Sequence, residues 1–202
     1  MTFDSSSIAA LIVAASFAGG LNIYATILTL GLLARTHVVL LPPGLAMLSN
    51  PWLVGAAGTL FALEFFADKL PGFDLVWNAL HTFVRVPVAA LLAFQAANQM
   101  PAGMQLLATL AGALIAVAAH GSKTVLRAAV TPAPEPVSNI ALSSSEDLLA
   151  IGLTWLATHH PFAAASIAGV LLLGILLAAR ALARVIGRPL RQFFSPFSSP
   201  SR

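Results

Sequence analysis

The stretch EFFADKLPGFDLVWNALHTFVR, residues 64–85, places six ionisable side chains between two long apolar runs. The whole chain of 202 residues is 58% hydrophobic and only 8% charged, whereas an ordinary soluble domain carries charge on about a quarter of its residues. Its apolar runs reach the roughly 20 residues that a helix needs to cross a bilayer. The composition therefore predicts an integral membrane protein in contact with a lipid bilayer.

The runs 45–66 and 171–187 are apolar on every face and do not alternate, which is typical of membrane helices. Breaks at proline and glycine divide the chain into helices that cross the bilayer or partly re-enter it. We expect an all-α, polytopic membrane helix bundle as a single domain over 1–186, with a basic, disordered cytoplasmic tail over 187–202. The predicted helices, about six, cover residues 8–34, 51–67, 75–97, 104–130, 146–158 and 161–186.

Two local patterns predict where helices begin. Asn50 followed by Pro51 is typical of a cap and first helical residue, and it opens the second helix. The segment SSSE, Ser143 to Glu146, fits a capping box that opens the fifth. Gly19 and Gly20 predict a close approach between helices.

The distribution of arginine predicts the orientation in the membrane. Short cytoplasmic loops are rich in Lys and Arg, and the C-terminal segment carries Arg180, Arg184, Arg188, Arg191 and Arg202. We therefore predict a multi-pass protein of the bacterial inner (cytoplasmic) membrane with both termini in the cytoplasm. The face from Arg180 to Arg191 is expected to contact anionic lipid.

The charged residues fall in two hairpins of opposite order. The first has acids, a proline break and then bases, and the second has bases, a proline break and then acids. Spacings of three and four place the charges of each helix on one face, and ionisable groups in a membrane turn inward and pair. We predict one polar cluster in the cytoplasmic half of the bundle, built by Glu64, Asp68, His81, Arg85, His120, Lys123, Arg127, Glu146 and Asp147.

Other polar and charged residues are assigned different places. Lys69 and Asp74 flank the first break and are expected at the solvated interface. Four polar residues of the first helix either line the same cavity as the cluster or serve in packing, and packing is favoured because Ser and Thr commonly bond their own helix backbone: Asn22, Tyr24, Thr26 and Thr29. The chain has no cysteine, which excludes disulfides and thiolate metal sites, and we predict neither a metal nor another cofactor. The alternative role for the cluster is that of ion pairs that only hold the bundle together.

Two segments resemble a family of small bacterial membrane proteins described as domain of unknown function 4126. They are EFFADKLPGFDLVWNALHTFVR and HGSKTVLRAAVTPAPEPVSNIALSSSED, residues 64–85 and 120–147, and the flanking apolar helices extend the resemblance over most of residues 10–180. The resemblance implies that the two hairpins belong together, and it implies no activity, substrate or cofactor.

Three functions fit the sequence. The first is a small transporter or channel, in which Arg85, Lys123 and Arg127 hold a small anionic solute or ion while Glu64, Asp68 and the two histidines carry protons. The second is a membrane-embedded enzyme that acts on a lipid or isoprenoid phosphate with His81 or His120 as general base. In this alternative the oxygens of Glu64, Asp68 and Glu146 suit a metal held with histidine help, although we favour a protein that has no metal and is not an enzyme. The third is an assembly subunit. Homo-oligomers are compatible with each, and nucleic acid is not an expected partner.

Overall fold

In a computed structural model, residues 3–70, 73–130 and 136–193 are described, and nearly all of them are helical. The described elements comprise seven α-helices and one 3₁₀ helix, and contain no strand. The predicted all-α membrane bundle is therefore confirmed. In chain order the helices are α1 (Ser5–Leu21), α2 (Ile23–Arg35), a 3₁₀ helix (Pro43–Ser49), α3 (Pro51–Ala67), α4 (Phe73–Ala96), α5 (Ala102–Val130), α6 (Pro136–His159) and α7 (Pro161–Phe193).

Helix α1 lies at the centre of the bundle. It contacts α2, α4, α5, α6 and α7, and it is buried on nearly every side from Ala10 to Leu21. A helix that is apolar all round suits this position. Small residues bring the neighbours close: a Cβ at Gly20 would lie 2.7 Å from the Ala116 carbonyl oxygen of α5. Gly19 and Gly20 thus lie where helices approach closely, as predicted.

The prediction of one continuous helix over residues 8–34 is wrong, because the helix breaks at Asn22. This residue is extended, with φ −150° and ψ 102°, and it ends α1 and begins α2. Its side-chain oxygen accepts a hydrogen bond from the Ala25 amide at 2.9 Å, which satisfies a donor in the first turn of α2. Because of this break, the last carbonyl groups of α1 and the first amide groups of α2 lie in the interior of the bundle.

The start of the fifth predicted helix is also corrected. Helix α6 begins at Pro136, a residue suited to a first helical turn because its fixed φ is helical and it needs no amide donor there. Ser143 to Glu146 lie inside this helix, so the predicted capping box does not form. The prediction for the second helix is right, since Asn50 accepts a hydrogen bond from the Trp52 amide at 2.9 Å and Pro51 begins α3.

Within the described residues, four helices are long and apolar enough to cross a bilayer: α4, α5, α6 and α7. The 3₁₀ helix and α3 meet at 71° and make a fifth if they form one broken span. Helices α1 and α2, the two parts of the predicted first helix, are each shorter than a span. The predicted number of about six membrane helices is approximate because neither α1 nor α2 is long enough to span the bilayer alone. Large apolar side chains cover the outside of the spanning helices, which fits contact with lipid.

A buried ionic cluster at a helix break

Lys123 lies where four helices meet. Its ammonium nitrogen is 2.8 Å from Asp68, the residue directly after α3, 3.4 Å from Glu146 of α6 and 3.7 Å from Glu64 of α3. It also donates a hydrogen bond of 3.1 Å to the carbonyl oxygen of Leu21 at the end of α1. The ends of a helix carry unpaired carbonyls and a partial negative charge, so the break beside Asn22 supplies a ligand for this cation.

Arg85, on α4, holds a second part of the cluster. Its guanidinium donates to Glu64 at 2.6 Å, to the Asn78 side-chain oxygen at 2.9 Å and to His120 Nδ1 at 2.8 Å. The charged groups of the cluster are shielded from solvent, since Arg85 and Glu64 are 0% exposed and Lys123 is 1% exposed. Each of the two cations thus lies beside at least one carboxylate of the same chain.

The contacts of His120 fix its tautomer. Arginine can only donate, so Nδ1 is the acceptor and Nε2 carries the proton. Nε2 donates to the Thr82 hydroxyl at 2.7 Å, and that hydroxyl donates to the Asn78 carbonyl oxygen at 3.3 Å. His120 is therefore a neutral ring with both nitrogens in use. This arrangement is unfavourable for the general base that the enzyme hypothesis assigned to it.

His81 is arranged differently. Its Nδ1 donates to the Trp77 carbonyl oxygen at 2.8 Å, which leaves Nε2 as the nitrogen that can take up a proton. The ring packs on Trp77 with centroids 4.2 Å apart and meets the edge of Tyr24 at 5.8 Å. The bond to Trp77 thus uses Nδ1 of His81 and does not involve Nε2, whereas both ring nitrogens of His120 are engaged.

Asn22 ties the helix break to α6. Its amide nitrogen donates to Asp147 Oδ1 at 2.8 Å, while its side-chain oxygen caps α2. The other oxygen of Asp147 and the second oxygen of Glu64 are buried and have no hydrogen-bond partner among the described residues. A buried acceptor without a donor costs about 1–3 kcal/mol. These two oxygens can therefore accept a proton, a water or a bound cation.

The cluster combines buried acids and bases. Its described side chains include four buried carboxylates, two buried cations and two histidines, while the side chain of Arg127, one turn of α5 beyond Lys123, lies outside the described residues. Each of the two described cations lies within 3.7 Å of at least one carboxylate oxygen. Charges in a low-dielectric interior are costly unless they are paired in this way.

The structure brings together seven of the nine predicted site residues: Glu64, Asp68, Arg85, His120, Lys123, Glu146 and, through Asn22, Asp147. The eighth, His81, is buried one helical turn from Arg85 on α4, and its ring contacts Trp77 and Tyr24. The ninth, Arg127, has its side chain outside the described residues, as does Asp74. The cluster lies in the half of the bundle nearer the two charged breaks, with Arg85 midway along α4. Lys69 is partly buried, with its ammonium 3.1 Å from the centre of the Phe65 ring.

Sequence reasoning assigned Asn22 to packing, whereas the structure places it in the cluster. The available hint was a strong turn former at residue 22, within an apolar helix pattern and directly after Gly19-Gly20-Leu21. Thr82 was also missed, because a threonine spaced along a helix is usually bonded to its own backbone. Across residues 3–70, 73–130 and 136–193, no three His, Asp or Glu side chains are grouped as a metal site would require.

A half-open cavity of about 430 Å³ leads from the outside of the bundle to Lys123 and Glu146. Its walls come from α1, α5, α6 and α7 and are mainly apolar. Two of its leucines, Leu126 and Leu149, are 51% and 37% exposed on helices that can span the bilayer. We call this cavity the lateral groove, and its lining is Phe17, Leu21, Ser122, Lys123, Leu126, Leu142, Ser145, Glu146, Leu149, Leu171 and Ile175.

Comparison with known proteins agrees with the resemblance stated above. Residues 9–181 match the family described as a domain of unknown function, DUF4126. This range contains both charged hairpins and every helix that supplies a residue to the cluster. No curated protein and no solved structure matches the chain.

Proposed function

The chain belongs to the DUF4126 family, and we propose that this member is a small secondary transporter that couples movement of a solute to protons held by the buried cluster. The observation that carries the proposal is the meeting of a broken helix with a buried ionic cluster in which Glu64 and Asp147 each keep an oxygen without a hydrogen-bond partner among the described residues. Transporters of several folds place their substrate and ion sites at such breaks, where helix ends supply carbonyls and amides. Here Leu21 supplies a carbonyl to Lys123, and Asn22 joins the start of α2 to Asp147.

The hydrogen bonds of the cluster suggest which groups carry the protons. Glu64 and Asp147 each have a buried oxygen without a hydrogen-bond partner among the described residues, and Nε2 of His81 takes no part in the bond that Nδ1 makes to Trp77. We propose these three groups as the proton carriers, with Arg85 and Lys123 as the cations of the cluster. Buried ion pairs alone give little stability over apolar packing, so a purely structural role explains the arrangement less well.

Transport can be tested in proteoliposomes with an acidic lumen and an internal pH dye. Sodium, potassium, phosphate and tetraphenylphosphonium are added outside in turn. For one of these solutes, wild-type protein is expected to raise the luminal pH as the solute enters and protons leave. Asp68→Asn should abolish this response, because Lys123 loses its nearest carboxylate and the cluster loses one negative charge.

The matched control is Asp4→Asn. Asp4 is an exposed acid outside the cluster, and its side-chain oxygen caps α1 by accepting from the Ser7 amide at 2.8 Å. Asparagine caps equally well, so this variant should give the wild-type response. A response that survives in Asp68→Asn, or a wild-type protein that moves protons with none of the four solutes, contradicts the proposal.

The orientation in the membrane, the inner-membrane location and the contact of anionic lipid with the arginine face remain predictions. Arg180 and Arg184 are exposed on α7, which is compatible with that contact. The side chains of Arg188 and Arg191 lie outside the described residues, as does all of Arg202.

A further inference from the structure

Helix α1 starts at the end of the bundle that holds the α4–α5 and α6–α7 turns. Phe3 and Ser7 line one cavity together with residues 159–163, which contain the α6–α7 turn. At the other end of α1, the carbonyl oxygen of Leu21 accepts a hydrogen bond from Lys123, which lies roughly 30 Å from the start of α5 at 1.5 Å per residue. Helix α1 therefore runs from this end of the bundle to the ionic cluster.

Helix α2 returns to the end of the bundle from which α1 started. A Cβ at Gly58 of α3 would lie 3.6 Å from Leu28, and a Cβ at Gly31 would lie 2.9 Å from Val54 of α3. Later residues of α2 thus meet earlier residues of α3, so the two helices are antiparallel. Because α3 reaches the cluster at Glu64, α2 leads away from it. The 3₁₀ helix that follows α2 contacts the last turns of α4, beside the α4–α5 turn.

The tip between α1 and α2 is suited to lie inside the membrane. Helices of 17 and 13 residues are roughly 25 and 20 Å long, shorter than the bilayer core of about 30 Å. Irregular backbone at membrane depth is tolerated where it is buried in protein, and Leu21, Asn22 and Ile23 are buried. The Asn22 amide donates to the Ala18 carbonyl at 2.9 Å, and the Asn22 carbonyl accepts from the Thr26 amide at 3.1 Å.

Apolar side chains close the space between α1 and α2. A cavity of about 10 Å³ lies there, which is room for one water molecule at most. Its walls come from α1, α2, the 3₁₀ helix and α4 and are almost entirely alkyl groups. Ile12 of α1 and Leu30 of α2 line it and are 5% and 0% exposed. Such a space does not hold a chain of water molecules.

We infer that α1 and α2 form a re-entrant helical hairpin, which enters the membrane from the side of the N-terminus, places its tip at the ionic cluster and seals the cluster from that side. The five segments that follow, with the 3₁₀ helix and α3 as one broken span, bring the chain to the opposite side. The two termini therefore lie on opposite sides of the membrane, in contrast to the predicted arrangement with both in the cytoplasm. The hairpin is independent of the proposed function, whereas the proton path through the cluster rests on it.

Single thiols test the hairpin, since the chain has no cysteine. Ser5 and Thr36 are exposed at the outer ends of α1 and α2. With a membrane-impermeant maleimide, applied before and after permeabilisation of cells, Ser5→Cys and Thr36→Cys should both react from the same side as His160→Cys and from the side opposite to Leu70→Cys. A continuous spanning helix would place Ser5 and Thr36 on opposite sides, and that result overturns the inference.

The seal is tested by proton leakage without any added solute. Proteoliposomes with an internal pH dye receive a pH gradient, and each variant is reconstituted from the gel-filtration peak of the wild-type protein. Leu30→Ser and Ile12→Ser should dissipate the gradient at least about fivefold faster than wild type, because an enlarged, more polar space takes up water. Leu32→Ser is the control, since Leu32 lies on α2 and is 45% exposed, and it should hold the gradient. If both seal variants and their combination hold the gradient as Leu32→Ser does, the seal is overturned.

The hairpin and the proposed function fail in different ways. Solute-driven proton movement that depends on Asp68, in a protein whose Ser5 and Thr36 thiols react from opposite sides, overturns the hairpin and leaves transport standing. The predicted thiol pattern and leakage, in a protein that moves protons with none of the four solutes, support the hairpin and overturn transport.

Discussion

At the scale of single residues, the sequence predicted which groups meet but not how they pair. Spacings of three and four placed the charges of each helix on one face, and the cost of charge in a membrane turned those faces inward. Which carboxylate lies beside which cation depends on the distances between helices, and spacing along one helix contains no such information. The pairs of Arg85 with Glu64 and of Lys123 with Asp68 therefore had to come from the structure.

The Arg85–Glu64 pair leads to a prediction about stability. Arg85→Met leaves Glu64 without its closest cation in a buried site, which typically costs about 3–5 kcal/mol. Arg85→Met combined with Glu64→Gln removes the unpaired charge and should recover at least half of that loss. Denaturant unfolding in detergent micelles measures the free energy of unfolding for each variant.

An exposed arginine is the control for that measurement. Arg35 is exposed, and its side chain donates a long hydrogen bond of 3.4 Å to the Ser49 carbonyl oxygen, so Arg35→Met should change the free energy of unfolding by about 0.5 kcal/mol or less. A double variant as unstable as Arg85→Met alone would show that packing of the arginine, and not its charge, stabilises the cluster.

At the scale of helices, the sequence predicted elements with long apolar runs well and irregular backbone poorly. The ends of α3, α4 and α5 fall within a few residues of the predictions because proline and glycine mark them. The break at Asn22 was missed because no proline interrupts the apolar pattern there, and because the amide makes two contacts that only the folded bundle provides.

Two asparagine caps allow the role of this break to be isolated. Asn22→Ala removes the cap of α2 and the donor to Asp147, and we expect a loss of about 1–3 kcal/mol in unfolding free energy together with loss of proton-coupled transport. Asn50→Ala removes an exposed cap of α3 away from the cluster, so it should cost about 1 kcal/mol and leave transport intact. Transport that is equally impaired in both variants would contradict a specific role for the break.

At the scale of the whole molecule, composition was sufficient for the membrane bundle, while the number of spans needed coordinates. The composition predicts the membrane environment because a chain with 58% hydrophobic and 8% charged residues has too few charged side chains to form a water-exposed surface. It does not distinguish a continuous first helix from the two short segments observed, and it contains no information on the lateral groove, which requires α1, α5, α6 and α7 to be assembled.

The predicted orientation can be measured directly because the chain has no cysteine. Gln99→Cys and His160→Cys introduce single thiols at exposed positions in loops predicted to face outward. In intact cells, both should react with a membrane-impermeant maleimide. Leu70→Cys, exposed beside the first charged break, should react only after permeabilisation, and the reverse pattern would invert the orientation.

The position of Lys123 has a consequence for motion. One ammonium group joins the end of α1, the acids of α3 and the acid of α6 to α5. If α5 shifted by a fraction of a turn, the Lys123 ammonium could not keep all of these contacts, and an acid left without its cation in the interior would be costly. This single ammonium group thus opposes sliding of α5 against α1, α3 and α6.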